Sequence, residues 1–140
     1  MNHQICHRSA AIRDFSAAIE RQEELSDSLC YRGILHFEFE DYDLALNDLL
    51  RLTELELENL DAWYNLGRTA YMIDDMDLAR KSFETAISIE PDNYSAFLYL
   101  GHTYYDLERD DEALSNYSKA IEIDPINPEA LIARRDLYRE

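Results

Sequence analysis

The chain has 140 residues, of which 13 are Lys or Arg and 30 are Asp or Glu, giving a formal net charge of −17. That length suits one domain with a core of its own, and the charge repels phosphate backbones and anionic lipid, so nucleic acid and membrane surfaces are not the expected partners. Valine is absent, glycine and proline number three each, and no apolar run approaches the roughly 20 residues of a membrane span, so the expectation is an almost wholly helical chain without membrane insertion.

Met1 to His7 lacks the basic-then-apolar pattern of a secretory leader, which makes cytoplasm the expected compartment. Cys6 and Cys30 are too few for a disulfide framework, and a reduced thiol is expected at each. His3, Cys6 and His7 fall within one helical turn but lack a fourth ligand, so neither a metal nor any other cofactor is expected.

Helices are predicted over 4–21, 27–39, 42–55, 60–73, 76–89, 94–107, 110–123 and 128–139. All three glycines, Gly33, Gly67 and Gly101, lie 34 residues apart. Ala11, Ala45, Ala79 and Ala113 keep the same step, as do Phe15, Leu49, Phe83 and Tyr117, and Leu29, Trp63, Phe97 and Leu131. Such a period, with small and large apolar residues in fixed places, predicts a solenoid of antiparallel helix pairs. Asn59, Asn93 and Asn127 recur where a side-chain oxygen can cap each first helix, with Pro128 at a first helical place. Asp43, Asp77 and Asp111 recur in the first turn of each second helix, where they suit its dipole. Gly67 against Ala79 is expected to let two helix backbones approach closely.

The period divides the chain into a half-repeat at 1–25, full repeats at 26–59, 60–93 and 94–127, and a capping helix at 128–140. These carry net charges of about −1, −7, −4, −5 and zero in turn, so the acid sits on the repeats and not on a tail. The opening helix has no first-helix partner, so its apolar side, Ile5, Ile12 and Ile19, is expected to pack on the first full repeat.

Trp63 to Tyr71 followed by Asp77 to Ala86 and Pro91, and again Phe97 to Pro125, resemble the tetratricopeptide repeat (TPR) family. Residues 26–59 are a degenerate copy, with Arg32 before Gly33 where Leu66 and Leu100 stand in the others, Leu52 at a small-residue place, and Leu57 for the closing proline. The resemblance implies an all-α, right-handed superhelical solenoid whose first helices line a concave groove. Its function would be that of a non-catalytic scaffold binding a peptide or protein segment there.

On that implication the groove residues are Tyr31, Ile34, Tyr64, Asn65, Arg68, Tyr71, Leu98, Tyr99, His102 and Tyr105, with Phe37, Met72 and Ile132 beside them. Tyrosine and arginine anchor interfaces well because each joins a broad face to a polar tip. Asn65 and Arg68 are expected to hold backbone or carboxylate groups of the ligand. The carboxylate clamp of the family's chaperone adaptors would fall on Cys30, Ile34, Asn65, Ser95 and Tyr99, where only Asn65 has the expected type, so acidic chaperone tails are disfavoured. Small secretion chaperones of the same family bind apolar extended segments, a mode that an aromatic groove suits better.

His36 is expected to be a satisfied histidine near the core. His102 is expected to touch a partner, with neither a nucleophile nor a carboxylate in reach for general-base work. The alternative to peptide binding is self-assembly into a homo-oligomer, in which the terminal helices, with Ile5 and Ile12 exposed, complete a neighbouring copy.

Overall fold

The computed structural model describes the backbone of residues 2–139 and the side chains of residues 7–139. Among these residues there are eight helices and no strand: α1 (Asn2–Glu20), α2 (Leu25–Glu38), α3 (Tyr42–Leu55), α4 (Leu60–Met72), α5 (Met76–Ile89), α6 (Tyr94–Asp106), α7 (Asp110–Ile123) and α8 (Pro128–Arg139). Each predicted helix is present, with ends within two residues of the expected ones.

The ends follow from local chemistry. The Asn59 side-chain oxygen accepts from Ala62 N at 3.0 Å, Asn93 from Ala96 N at 3.0 Å, and Asn127 from Glu129 N at 3.1 Å, so all three expected caps form. Asp43, Asp77 and Asp111 lie in the first turns of α3, α5 and α7, near amides left without intrahelical partners. The turns inside the helix pairs repeat as well. Glu40, Asp74 and Glu108, again 34 residues apart, take left-handed backbone with φ of 64, 66 and 58°. The amide after each closes onto the carbonyl five residues back, at 2.8, 2.9 and 2.9 Å. That is the usual cap of a helix end, built here without glycine.

The chain forms two compact units, Met1–Thr69 and Ala70–Glu140, with α4 contributing to each. In the first, α2 packs on α1 and on α3. Leu29, Leu49, Leu52 and Leu66 are its fully buried leucines, and Ala45 is fully buried as well. Ile19 of α1 is buried and Ile12 half-buried, while the side chain of Ile5 lies outside the described residues. In the second unit, α6 packs on α5 and α7, and α7 on α8. Ala79, Phe83, Ala86, Ala113, Tyr117, Ala120 and Ala130 are buried there.

At Gly33 and Gly101 the close approach is to the large residue opposite. A Cβ on Gly101 would lie 2.5 Å from the Tyr117 ring, and one on Gly33 would lie 3.1 Å from the Leu49 side chain. The close approach is therefore a ring or branched side chain pressed flat on a bare helix turn.

Arg32 and His36 depart from this apolar scheme. The Arg32 guanidinium donates to both Asp48 oxygens, at 2.7 and 2.5 Å, and to Ser16 Oγ at 3.0 Å, tying α2 to α3 and α1. Arginine at a leucine place is thus answered by a buried carboxylate on the facing helix. His36 is buried as expected but is not satisfied. Its Nε2 lies 4.0 Å from Asp48, and its buried Nδ1 has no hydrogen-bond partner. Burial pushes its pKa below the usual imidazole value, and this outweighs the pull of Asp48.

Candidate functional site

The proposed groove residues fall into one group per unit. In the first, the Arg68 guanidinium lies 4.4 Å from the centre of the Phe37 ring and 5.6 Å from that of Tyr64. Its Nη1 donates to Asn65 Oδ1 at 3.3 Å, and Asn65 Nδ2 donates to the Asp61 carbonyl at 2.8 Å. Asn65 is only 8% exposed and its amide is engaged by Arg68 and by the Asp61 carbonyl, a placement that favours holding Arg68 over direct ligand contact. Arg68 is half-buried, and one of the five donors of its guanidinium is directed to Asn65. Tyr31 is exposed and stacks on Phe15 at 5.6 Å, while Ile34 is half-buried.

In the second unit the rings form a ladder. Tyr99 stacks on Phe83 at 5.7 Å and meets Tyr71 and His102 edge-on at 6.4 and 5.9 Å. His102 continues edge-on to Tyr117 at 5.4 Å, and its Nδ1 is 2.8 Å from the Tyr117 hydroxyl. Tyr105 stands at the outer edge, 38% exposed. Leu98 is 3% exposed and belongs to the core, so it leaves the candidate set.

Electrostatics divide these rings by role. Burial lowers the His102 pKa, against the opposing pull of Asp106 and Glu129, so the ring is neutral near pH 7. With Tyr117 as donor, Nδ1 accepts and Nε2 carries the proton. Tyr71 and Tyr117 are both pushed well above the usual phenol range, chiefly by burial, and the Tyr71 hydroxyl also bonds Asp106. Near pH 7 both phenols keep their proton and can donate hydrogen bonds.

The expectation of no carboxylate within reach of His102 was wrong, because Asp106 lies one helical turn on and acts on it. Among the described residues no group of three or more His, Cys, Asp or Glu gathers for a metal. His3 and Cys6 lie outside the described side chains.

The sequence reading missed Tyr117, Asp106 and Asp136. Tyr117 was read only as the packed aromatic of its repeat. The signal lay in its hydroxyl, since Phe15, Leu49 and Phe83 fill the equivalent places without one. Together with His102 and Tyr105, Tyr117 lines an open cavity of about 310 Å³, which Ala133, Asp136 and Leu137 of α8 line as well. A wider cleft of about 640 Å³ lies among Ile87, Pro91, Phe97, Lys119, Glu122 and neighbours, at the ends of α5 and α7. None of the candidate residues lines it.

Comparison with known proteins follows the same lines. Residues 31–93 match a family model described as Tetratricopeptide repeat, and residues 101–134 match a second described as TPR repeat. No curated protein sequence matches the chain. Among solved structures, the crystal structure of MamA superposes with a TM-score of 0.93 at 23% identity, covering 98% of this chain and 80% of that one. YrrB, described as a TPR protein with an unusual peptide-binding site, gives 0.86 at 28% identity, with 92% and 66% covered. The first TPR of Spaghetti (RPAP3), bound to the HSP90 peptide SRMEEVD, gives 0.78 at 19% identity, with 81% and 90% covered.

Proposed function

The chain belongs to the tetratricopeptide repeat family, and on that premise we propose that it is a non-catalytic scaffold holding a peptide or protein segment against the first-helix faces of its repeats. The observation that carries this reading is the ladder Tyr71–Tyr99–His102–Tyr117, with exposed Tyr105 lining the same cavity as His102 and Tyr117. Tyr71, Tyr99 and His102 lean on one another and are only half-buried, so their outer surfaces can meet a ligand at little entropic cost. Arg68, laid on Phe37 and Tyr64, offers a pre-oriented donor fork in the other unit. That the relative YrrB is described as peptide-binding supports the same reading. The compartment in which this scaffold would work is the cytoplasm, and no helix among the described residues is long and apolar enough to cross a membrane.

The test is selection from a displayed library of extended peptides, followed by titration against the wild type and the Tyr105→Ala and Arg68→Glu variants. Binding that survives both changes undiminished overturns the reading.

Self-assembly through terminal helices draws on α8, where Leu131, Ile132 and Tyr138 are exposed. Against it, Arg135 stands where Gly33, Gly67 and Gly101 stand in the repeats, so a partner helix cannot approach α8 as closely as within a repeat. The expected contribution of exposed Ile12 also falls, because that side chain is half-buried on its own unit. Light scattering across concentrations separates the two readings.

A further inference from the structure

The cavity between α6, α7 and α8 has aromatic walls and an acidic edge. His102, Tyr105 and Tyr117 present rings, Ala133 and Leu137 give an apolar floor, and Asp136 stands in the lining. Asp106 and Glu129 both act on the His102 ring, and Asp106 acts on Tyr117 as well. His102 itself is held neutral by burial, so the lining contains no cation. Asp136 is paired with Arg135, whose Nη2 lies 3.3 Å from its Oδ1. That pair joins sequence neighbours whose side chains are 57% and 58% exposed, so it is weak and replaceable.

The nature of the guest follows from what each alternative would cost. A carboxylate would meet Asp136 in the lining and the negative field of Asp106 and Glu129 around His102, with no cation in the lining to receive it. A purely apolar side chain would strip water from Asp136 without replacing it. A long cationic side chain avoids both costs. Its stem lies on Leu137 and Ala133, and its head faces ring surfaces and carboxylates together.

We propose that this cavity is a subsite for a lysine or arginine side chain of the segment the protein binds. The proposal rests on the peptide-scaffold reading above and gives it a ligand chemistry, that of a basic side chain within an extended segment.

The experiment is an NMR titration of the intact chain with capped single residues: N-acetyl-lysine-N-methylamide, its arginine counterpart, and the norleucine counterpart, which keeps the stem and lacks the ammonium. Lysine and arginine probes should shift the signals of His102, Tyr105 and Leu137, and norleucine should not. Asp136→Asn should weaken the lysine probe about threefold, and Arg135→Ala, which removes the competing cation, should strengthen it by a similar factor. Norleucine binding as well as lysine would overturn the proposal, and so would the absence of any shift at these three residues.

Failure here is distinct from failure of the scaffold reading. Library peptides that bind without any basic residue would sink the subsite and leave the scaffold intact. Lysine seated in the cavity, with no peptide selected by the chain, would do the reverse.

Discussion

The Tyr117 hydroxyl lies 2.8 Å from Nδ1 of His102, and the same Tyr117 ring presses on the helix turn at Gly101. One side chain therefore fills the tight crossing of α6 and α7 and also orients the imidazole at the edge of the cavity. Tyr117→Phe should keep the first role and lose the second. It leaves a half-buried nitrogen without its partner, so the expected loss is about 1–3 kcal/mol in denaturant unfolding with the helix content unchanged. Stability equal to the wild type would show that water replaces the hydroxyl without cost.

The buried pair Arg32–Asp48 should behave asymmetrically. Arg32→Leu alone strands a carboxylate that is 6% exposed, and should cost about 3–5 kcal/mol. Arg32→Leu with Asp48→Ser restores the combination Leu66 and Ser82 found one period on, and should recover most of that loss. A double variant no better than the single one would mean that Ser16, His36 and their surroundings require the charge.

Acid should destabilise the fold through two histidines. Burial lowers the pKa of both His36 and His102 below the ordinary 6.5, so the folded state prefers each ring neutral. Between the lowered values and 6.5 the unfolded chain binds more protons. This stabilising contribution is complete above 6.5 and disappears as pH falls through the folded values. The check is the denaturation midpoint followed downward from pH 7 in the wild type and in His102→Gln. The variant should show the smaller acid loss, and parallel curves would contradict the burial account.

Ala113 is fully buried, so Ala113→Leu should overpack the second unit by about 1–3 kcal/mol. Ser115→Ala on the exposed side of α7 should change stability by less than about 0.5 kcal/mol. Thermal melts of the pair measure this, and equal midpoints would mean that the 34-residue register is misassigned.

Ligand binding, once a peptide is in hand, should fall by at least about 1 kcal/mol in Arg68→Glu and in Tyr105→Ala, and hardly at all in Glu122→Lys. Glu122 is a suitable control because its contact, with Lys119 at 3.7 Å, is an exposed ion pair. Glu84 is not, because it accepts the Tyr104 hydroxyl at 3.0 Å. Tyr99→Ala is likewise a poor probe of binding, since its ring stacks on buried Phe83 and its loss would also lower stability. Equal damage from the outer charge reversal, abolished by salt, would assign binding to net charge.

Removal of Pro128 to Glu140 should uncover the neighbours of buried Ala130 and Leu137, and release the Tyr94 hydroxyl from Ala130 N at 3.0 Å. Aggregation or a lower melting midpoint is expected, and a monomer melting as before would make α8 dispensable.

The sequence by itself determined the helices, their caps and their pairing, because these depend on spacing within one turn or one period. A cap needs only an asparagine three residues before an amide, and a tight crossing needs only a glycine recurring every 34 residues. Which groove-side residues have a hand to spare was decided by the tertiary structure. Leu98 and Asn65 lie on the expected helices at plausible positions, yet one is in the core and the other is occupied by Asp61 and Arg68. Exposure and partnership depend on the neighbouring helix, which periodicity within one helix does not specify. The same reason hid the Asp48 that answers Arg32, and the Tyr117 hydroxyl on His102, since each partner arrives on a different helix.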